Sequence, residues 1–152
     1  MKTSVWFVHP IGNIRLDFDG DLLIGLNLDD RAPQGVPDSG PIRRAAAAVQ
    51  AFLDGKAKSI DVPYRLDGTP FRKDVWNALA KVPYGTTISY GELAKASGHP
   101  GASRAVGSAM ATNPIPLLIP CHRVIAADGS IGGFTGGTEL KRKLLAIEGV
   151  HL

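Results

Sequence analysis

The sequence predicts an α+β chain: a small antiparallel sheet with one helix, packed on a mostly helical second half. Three observations carry that prediction. Short strand-type runs with tight-turn signals fill residues 4–28. From Phe71 onward apolar residues recur at helical spacing. A stretch rich in Pro and Gly, residues 32–41, separates the sheet from the first helix. The 152 residues fit one ordinary domain or two small ones. We place the boundary at Gly68, giving regions 1–68 and 69–152.

In the first region, Ser4 to Val8 is a short apolar strand. Ile11 to Phe18 alternates apolar and polar residues, and Asp19-Gly20 is a strong turn signal. Leu22 to Leu28 makes a third strand, and the three suggest an antiparallel meander. Ile42 to Leu53, with four alanines in a row and Gly55 after it, reads as a helix ending at a glycine. His9, next to Pro10 and with no acid near it in sequence, reads as structural or exposed.

In the second region, Thr69 caps a helix that has Pro70 in its first turn. Phe71, Val75, Trp76, Leu79 and Val82 form its apolar face. Ser89 and Glu92 form a capping box for a second helix, which stops at Ser97-Gly98-His99-Pro100. A third runs from about Ala102 to Ala111. Two short helices joined by a Gly-containing turn have the outline of a helix-turn-helix, and equally of an ordinary helical hairpin. Ala102, Ser103, Ala105, Gly107 and Ser108 give the third helix a surface of very small side chains, with Arg104 its only long cation. Such a helix suits close, sequence-tolerant approach to DNA better than base reading. It suits tight helix packing equally well.

Pro114, Pro116 and Pro120 then force extended chain. The only cysteine, Cys121, ends that segment, followed by His122 and Arg123. A free thiol titrates near ~8.5, so a neighbouring base or cation is needed to raise its thiolate fraction. Adjacent residues on a regular strand face opposite ways. Either the chain bends at Cys121 or His122 acts through a water. Residues 126–130 form a turn and 132–137 a glycine-rich loop without the full phosphate-loop pattern. Thr138 to Ile147 is the last helix, with Glu148 at its end.

Composition narrows the function classes. Hydrophobic residues make up 44% of the chain, ample for a core. One cysteine excludes an intrachain disulfide framework and a zinc site built from several thiolates. No apolar run approaches a membrane span, and the first residues lack a signal-peptide pattern. A cytoplasmic protein with a reduced thiol is expected. Residues 1–68 carry 8 basic and 9 acidic residues (net −1), and residues 69–152 carry 9 and 5 (net +4). A positive second half suits an anionic partner, nucleic acid above all, or is simply a solvated surface.

From about Pro70 to Gly149 the sequence resembles the O6-alkylguanine-DNA alkyltransferases, also called methylated-DNA–protein-cysteine methyltransferases. The resemblance rests on Pro120-Cys121-His122-Arg123-Val124, with Arg104-Ala105-Val106-Gly107 and Asn113-Pro114 upstream and the glycine loop downstream at the family's spacing. It implies a ribonuclease-H-like amino-terminal sheet and a winged-helix-like second domain. It also implies stoichiometric repair without cofactor or metal. Cys121 would take the alkyl group from O6 of a flipped guanine, with O4-alkylthymine left open. His122 would be the base, oriented by Glu148, and Tyr90 would donate a proton toward the leaving guanine and press on the phosphate. Asn113 would brace the turn before the cysteine segment. Arg104 would fill the space left by the flipped base. The small helix surface of Ala102, Ser103, Ala105 and Gly107 would lie in the minor groove. Met110, Pro116, Ile131 and Phe134 would wall the pocket. The carbonyls of Cys121 and Val124 would accept from the base's amine, and Thr135 would meet its other edge.

The implied partner is double-stranded DNA containing O6-alkylguanine, met by a monomer with no membrane and no obligate protein partner. Two departures stand out. Ala111 occupies a position where many relatives carry an arginine near phosphate, and Phe134 replaces a common tyrosine. Three rival readings are a lesion-binding protein without catalysis, a helix-turn-helix regulator and a cysteine hydrolase. Cys121 argues against the first. The scarcity of base-reading side chains argues against the second. No motif points to an ester or peptide substrate for the third.

Overall fold

The structure is a computed structural model and describes residues 2–28, 40–134 and 137–152. The expected loop at 32–41 and Thr135 therefore lie wholly or mostly outside the described residues. The chain divides into two compact units, 1–66 and 67–152.

The first unit is built on a three-stranded antiparallel sheet, β1 (Lys2–His9), β2 (Gly12–Asp19) and β3 (Leu22–Leu28), in sequence order. Its register runs from Lys2 opposite Asp19 to His9 opposite Gly12. Alternation explains the buried face. Ile14, Leu16 and Phe18 point inward from β2, each within 1% of full burial. A bulge at Asp17/Phe18 shifts the β2–β3 register. Helix α1 (Gly40–Leu53) buries Ile42, Ala45, Ala46, Val49, Phe52 and Leu53, the i, i+3, i+4, i+7 pattern of one apolar stripe. His9 is buried and its Nε2 lies 2.7 Å from Asp54 Oδ1, while its Nδ1 accepts from the Ile11 backbone N–H. The partner acid lies 45 residues away in sequence, which is why local reading leaves His9 unpaired.

The second unit packs three helices against one another: α2 (Pro70–Leu79), α3 (Tyr90–Ala96) and α4 (Ser103–Ala111). Thr69 caps α2 through the Arg72 N–H, and Ser89 and Glu92 complete both halves of the capping box on α3. Gly98, at φ +85°, makes the turn that ends α3. Trp76, buried in the α2 face, donates its Nε1–H to the Ala109 carbonyl at 2.8 Å and so fixes α4 on α2. After α4 the proline segment runs to a single 3₁₀ turn, Cys121–Arg123, then to a two-residue strand. That strand, β5 (Val124–Ile125), pairs in parallel with β4 (Ile88–Ser89). So short a parallel pair leaves no periodic trace in sequence. It places the segment after Cys121 beside the residues that start α3. Helix α5 (Thr138–Ile147) closes the unit.

Candidate active site

The bend at Cys121 is the local event that makes the site. The approach is not the extended chain that Pro114, Pro116 and Pro120 predict: it bends at 114–115 and turns at 117–118, where the Ile119 N–H bonds the Ile115 carbonyl at 3.0 Å and Leu117 takes φ 78°, an uncommon conformation for a side-chain-bearing residue. Asn113 holds this turn at both ends. Its Nδ2 donates to the Ile119 carbonyl at 2.7 Å, and its Oδ1 accepts from the Ile115 N–H at 3.0 Å. The Asn113 side chain also pulls the Cys121 thiol down, against the effect of burial. The 3₁₀ turn then places the side chains of 121, 122 and 123 about 120° apart rather than on opposite faces.

His122 is fully buried. Its Nε2 lies 2.5 Å from Glu148 Oε2, so Nε2 carries the proton and Nδ1 is left as the acceptor. Among the described residues Nδ1 has no hydrogen-bond partner. Burial pushes the imidazole below its usual value, and Glu148 only partly offsets this. The ring is therefore a neutral base at pH 7.

Glu148 accepts four hydrogen bonds. Oε2 takes His122 and Arg123 Nη2 (3.0 Å), while Oε1 takes Arg123 Nε (2.8 Å) and the Gly85 N–H (2.9 Å). Burial pushes its carboxyl up, but the bonds from His122, Arg123 and Gly85 outweigh that and hold it at about 2. Arg123 also donates Nη1 to the Val82 carbonyl at 2.7 Å and lies 5.7 Å from the Tyr84 ring centroid. It is thus the ion-pair partner of Glu148.

Cys121, 7% exposed, opens onto a cavity of about 300 Å³ lined by Tyr90, Gly107, Met110, Ala111, Cys121, Gly133 and Phe134. Burial pushes the thiol up; the Asn113 hydrogen bond and the Lys141 charge pull against it. Tyr90, the first residue of α3, is half-buried. Its phenol is raised chiefly by burial, which keeps it protonated. The structure thus brings Cys121, Tyr90, Met110 and Phe134 to one cavity. Pro116, Val124 and Ile131 do not line it, and the Val124 side chain is fully buried. The Val124 carbonyl accepts from Lys141 Nζ and the Cys121 carbonyl from the Val124 N–H. A carbonyl has a second lone pair, so both keep acceptor capacity.

On α4, Ser103, Arg104, Ala105 and Ser108 are exposed, with Ala102 and Gly107 half-exposed. Gly107 therefore belongs both to the small helix surface and to the cavity wall. A second cleft, about 500 Å³ between α2 and α3, shares none of these residues and holds no thiol.

Gly133, Ala111 and the Gly85 N–H are site members that residue-type reasoning passes over, since they act through backbone or small size. Lys141 was missed although a signal existed. It precedes Leu144, Leu145 and Glu148 by 3, 4 and 7 residues, on the buried face of α5.

These features define a class: a helix-pair protein that sets one buried cysteine in a cavity wall, next to a histidine–glutamate pair. The sequence model of the family described as "6-O-methylguanine DNA methyltransferase, DNA binding domain" matches residues 70–150. The chain is 44% identical over 149 residues to the methylated-DNA–protein-cysteine methyltransferase of Methanosarcina acetivorans, covering 94% of this chain and 96% of that one. It is 42% identical over 144 residues to the protein of the same name from Mycobacterium tuberculosis, covering 91% and 87%. The crystal structure of Mycobacterium tuberculosis OGT in complex with DNA superposes with a TM-score of 0.87 at 40% identity, covering 96% and 92%. The chain belongs to the methylated-DNA–protein-cysteine methyltransferase family.

Proposed function

We propose that this protein repairs DNA by moving the alkyl group of O6-alkylguanine irreversibly onto Cys121. The observation that carries this reading is the chain's only thiol in the wall of a base-sized cavity, followed in sequence by a buried, Glu148-anchored imidazole whose Nδ1 has no partner among the described residues. A volume of about 300 Å³ sits at the small end of the ~300–1,000 Å³ range of ligand pockets, which suits a single flipped base.

DNA is the partner. The surface of α4 lies in the minor groove, with Ala102, Ser103, Ala105 and Gly107 permitting close approach. Arg104 fills the stack where the guanine leaves it, and this offsets part of the unstacking cost. The target base enters between Met110 and Phe134, with Tyr90 on its edge. The Cys121 and Val124 carbonyls accept from its amine.

In the chemical step the Cys121 proton passes through one water to His122 Nδ1. Glu148 holds the opposite nitrogen protonated and stabilises the imidazolium that forms. The thiolate attacks the alkyl carbon in line, so the S–C bond forms as the C–O6 bond breaks. The departing guanine takes a proton from Tyr90 and is restored. The product on the protein is a neutral thioether, which no residue of the site can cleave, so each chain acts once. The protein works as a cytoplasmic monomer without cofactor.

Titration with duplex DNA bearing O6-methylguanine tests this. The expected result is a plateau at one lesion removed per chain, independent of time. Continued loss of lesion beyond that ratio would overturn the single-use reading, and no loss at all would overturn the function.

A further inference from the structure

Lys141 is the one fully buried lysine among the described residues, at 0% exposure. Its Nζ donates to the Val124 carbonyl at 2.5 Å and the Gly133 carbonyl at 3.1 Å. No carboxylate pairs with it among the described residues, whereas the two other buried charges of this unit, Arg123 and Glu148, pair with each other. A buried ammonium held only by neutral carbonyls is costly. Such a group persists where an anion appears beside it. The titratable and charged groups around it are Cys121, His122 and Arg123 from the 3₁₀ turn, Tyr90 from α3 and Glu148 from its own helix. Glu148 is already saturated by four donors. Of the others, Tyr90 gains negative charge only as the guanine leaves, whereas Cys121 carries it as the attacking thiolate, in the turn that leads into the Lys141-bonded Val124.

We propose that Lys141 is the counter-ion of the Cys121 thiolate, a positioning residue that also staples the Gly133–Phe134 wall of the cavity to the strand following the cysteine. The inference deepens the proposed function and rests on it. Burial lowers the Lys141 ammonium to about 8, and the Cys121 charge pulls it back up, the response expected of a cation facing a thiol. Lys141 keeps its protons throughout. The thiol proton goes to His122, the S–C bond forms, the C–O6 bond breaks, and the guanine leaves protonated. Once sulfur is a thioether, Lys141 has lost its anion. The staple has a second consequence. Gly133 accepts from Lys141 through its carbonyl and lines the cavity beside Cys121 and Tyr90, so the wall shared by the nucleophile and the proton donor rests on Lys141.

The test separates this inference from the parent reading by using a small electrophile that needs no base pocket. Wild type, Lys141→Met and Lys141→Arg are treated with iodoacetamide across pH 6–9, and carboxamidomethylation of Cys121 is followed by mass. Methyl transfer from O6-methylguanine DNA is measured in parallel, and melting curves report folding. Met keeps most of the side chain's length and removes the charge together with the two hydrogen bonds of Nζ, whereas Arg restores a cation. A purely structural lysine would leave the thiol's pH profile unmoved. The expected result is a folded Lys141→Met whose thiol titrates about one unit higher and reacts about tenfold more slowly at pH 7, with Lys141→Arg nearer wild type. A folded Lys141→Met with the wild-type profile overturns the counter-ion role. If neither variant folds, lysine NMR on the wild-type chain decides. Lys141 should titrate at lower pH once Cys121 is methylated, and an unchanged titration overturns the inference. A wild type that takes no methyl from DNA is a failure of the parent reading, and the iodoacetamide comparison remains a separate result.

Discussion

His122 and Glu148 lie 26 residues apart in sequence and 2.5 Å apart in space, Nε2 to Oε2, with neither side chain exposed. That contact fixes the imidazole tautomer. It turns a histidine that follows the cysteine in sequence into a base with its free nitrogen on the other side of the ring. Arg123, with two bonds, and the Gly85 N–H, with one, hold the same carboxylate in place, so the acid that orients the base is itself fixed by three further hydrogen bonds.

The first prediction concerns acid stability. An ordinary glutamate carboxyl titrates near 4.5, and Glu148 titrates at about 2. The stability this group contributes is complete above pH 4.5 and is lost as pH falls from there toward 2. It amounts to about 3 kcal/mol. Denaturation of wild type should become easier over that window, whereas Glu148→Gln should be weaker at pH 7 and lose less on acidification. Parallel pH dependence in urea melts of the two proteins would contradict this.

The His122 imidazole is held below its usual value by burial, so it stays unprotonated as pH is lowered through 6.5. Single-turnover methyl transfer should therefore fall with acid along a profile whose midpoint lies below that of an ordinary imidazole. A rate profile with its midpoint at or above 6.5 would show that the base is not the imidazole in this environment.

Asn113→Ala removes the two bonds that close the turn before Cys121; the Ile119 carbonyl keeps the Cys121 N–H, and the Ile115 N–H is left unpaired. The expected cost is about 2 kcal/mol of stability, with methyl transfer slowed about tenfold because the thiol is no longer held at a fixed place. Melting curves and single-turnover rates measure the two effects separately. Loss of stability without loss of rate would restrict Asn113 to a folding role.

Arg104→Ala leaves the cavity intact, since Arg104 is exposed on α4 and does not line it. Repair of duplex DNA should slow about tenfold, while reaction with free O6-benzylguanine stays within about twofold of wild type. Equal losses on both substrates would remove Arg104 from the flipping step.

Much of this molecule was legible from residue order because its signals are local. The capping box at Ser89 and Glu92, the Thr69-Pro70 start of α2 and the period-two burial of Ile14, Leu16 and Phe18 each lie within one turn or one strand. The contacts that long loops close were not legible. His9 meets Asp54, Trp76 meets Ala109, and Arg123 spans both Val82 and Glu148. Propensity says nothing about such pairs, and only the folded chain supplies them. The candidate site divides in the same way. Cys121 and His122 are visible as neighbours, and Asn113 is visible as a turn residue. The bend at the cysteine needed the structure, which shows it as a 3₁₀ turn. Lys141 was obscured by its company, since Arg142 and Lys143 beside it are exposed and the three read together as a solvated basic run.

The central claim is that the alkyl group ends on Cys121. Its most direct test is the peptide mass map of the protein after incubation with duplex DNA carrying O6-methylguanine. The account predicts one added methyl on the peptide containing Cys121 and none on any peptide of Cys121→Ala, whose DNA keeps the lesion. A methyl group on another residue, or an unmodified protein beside repaired DNA, would contradict it.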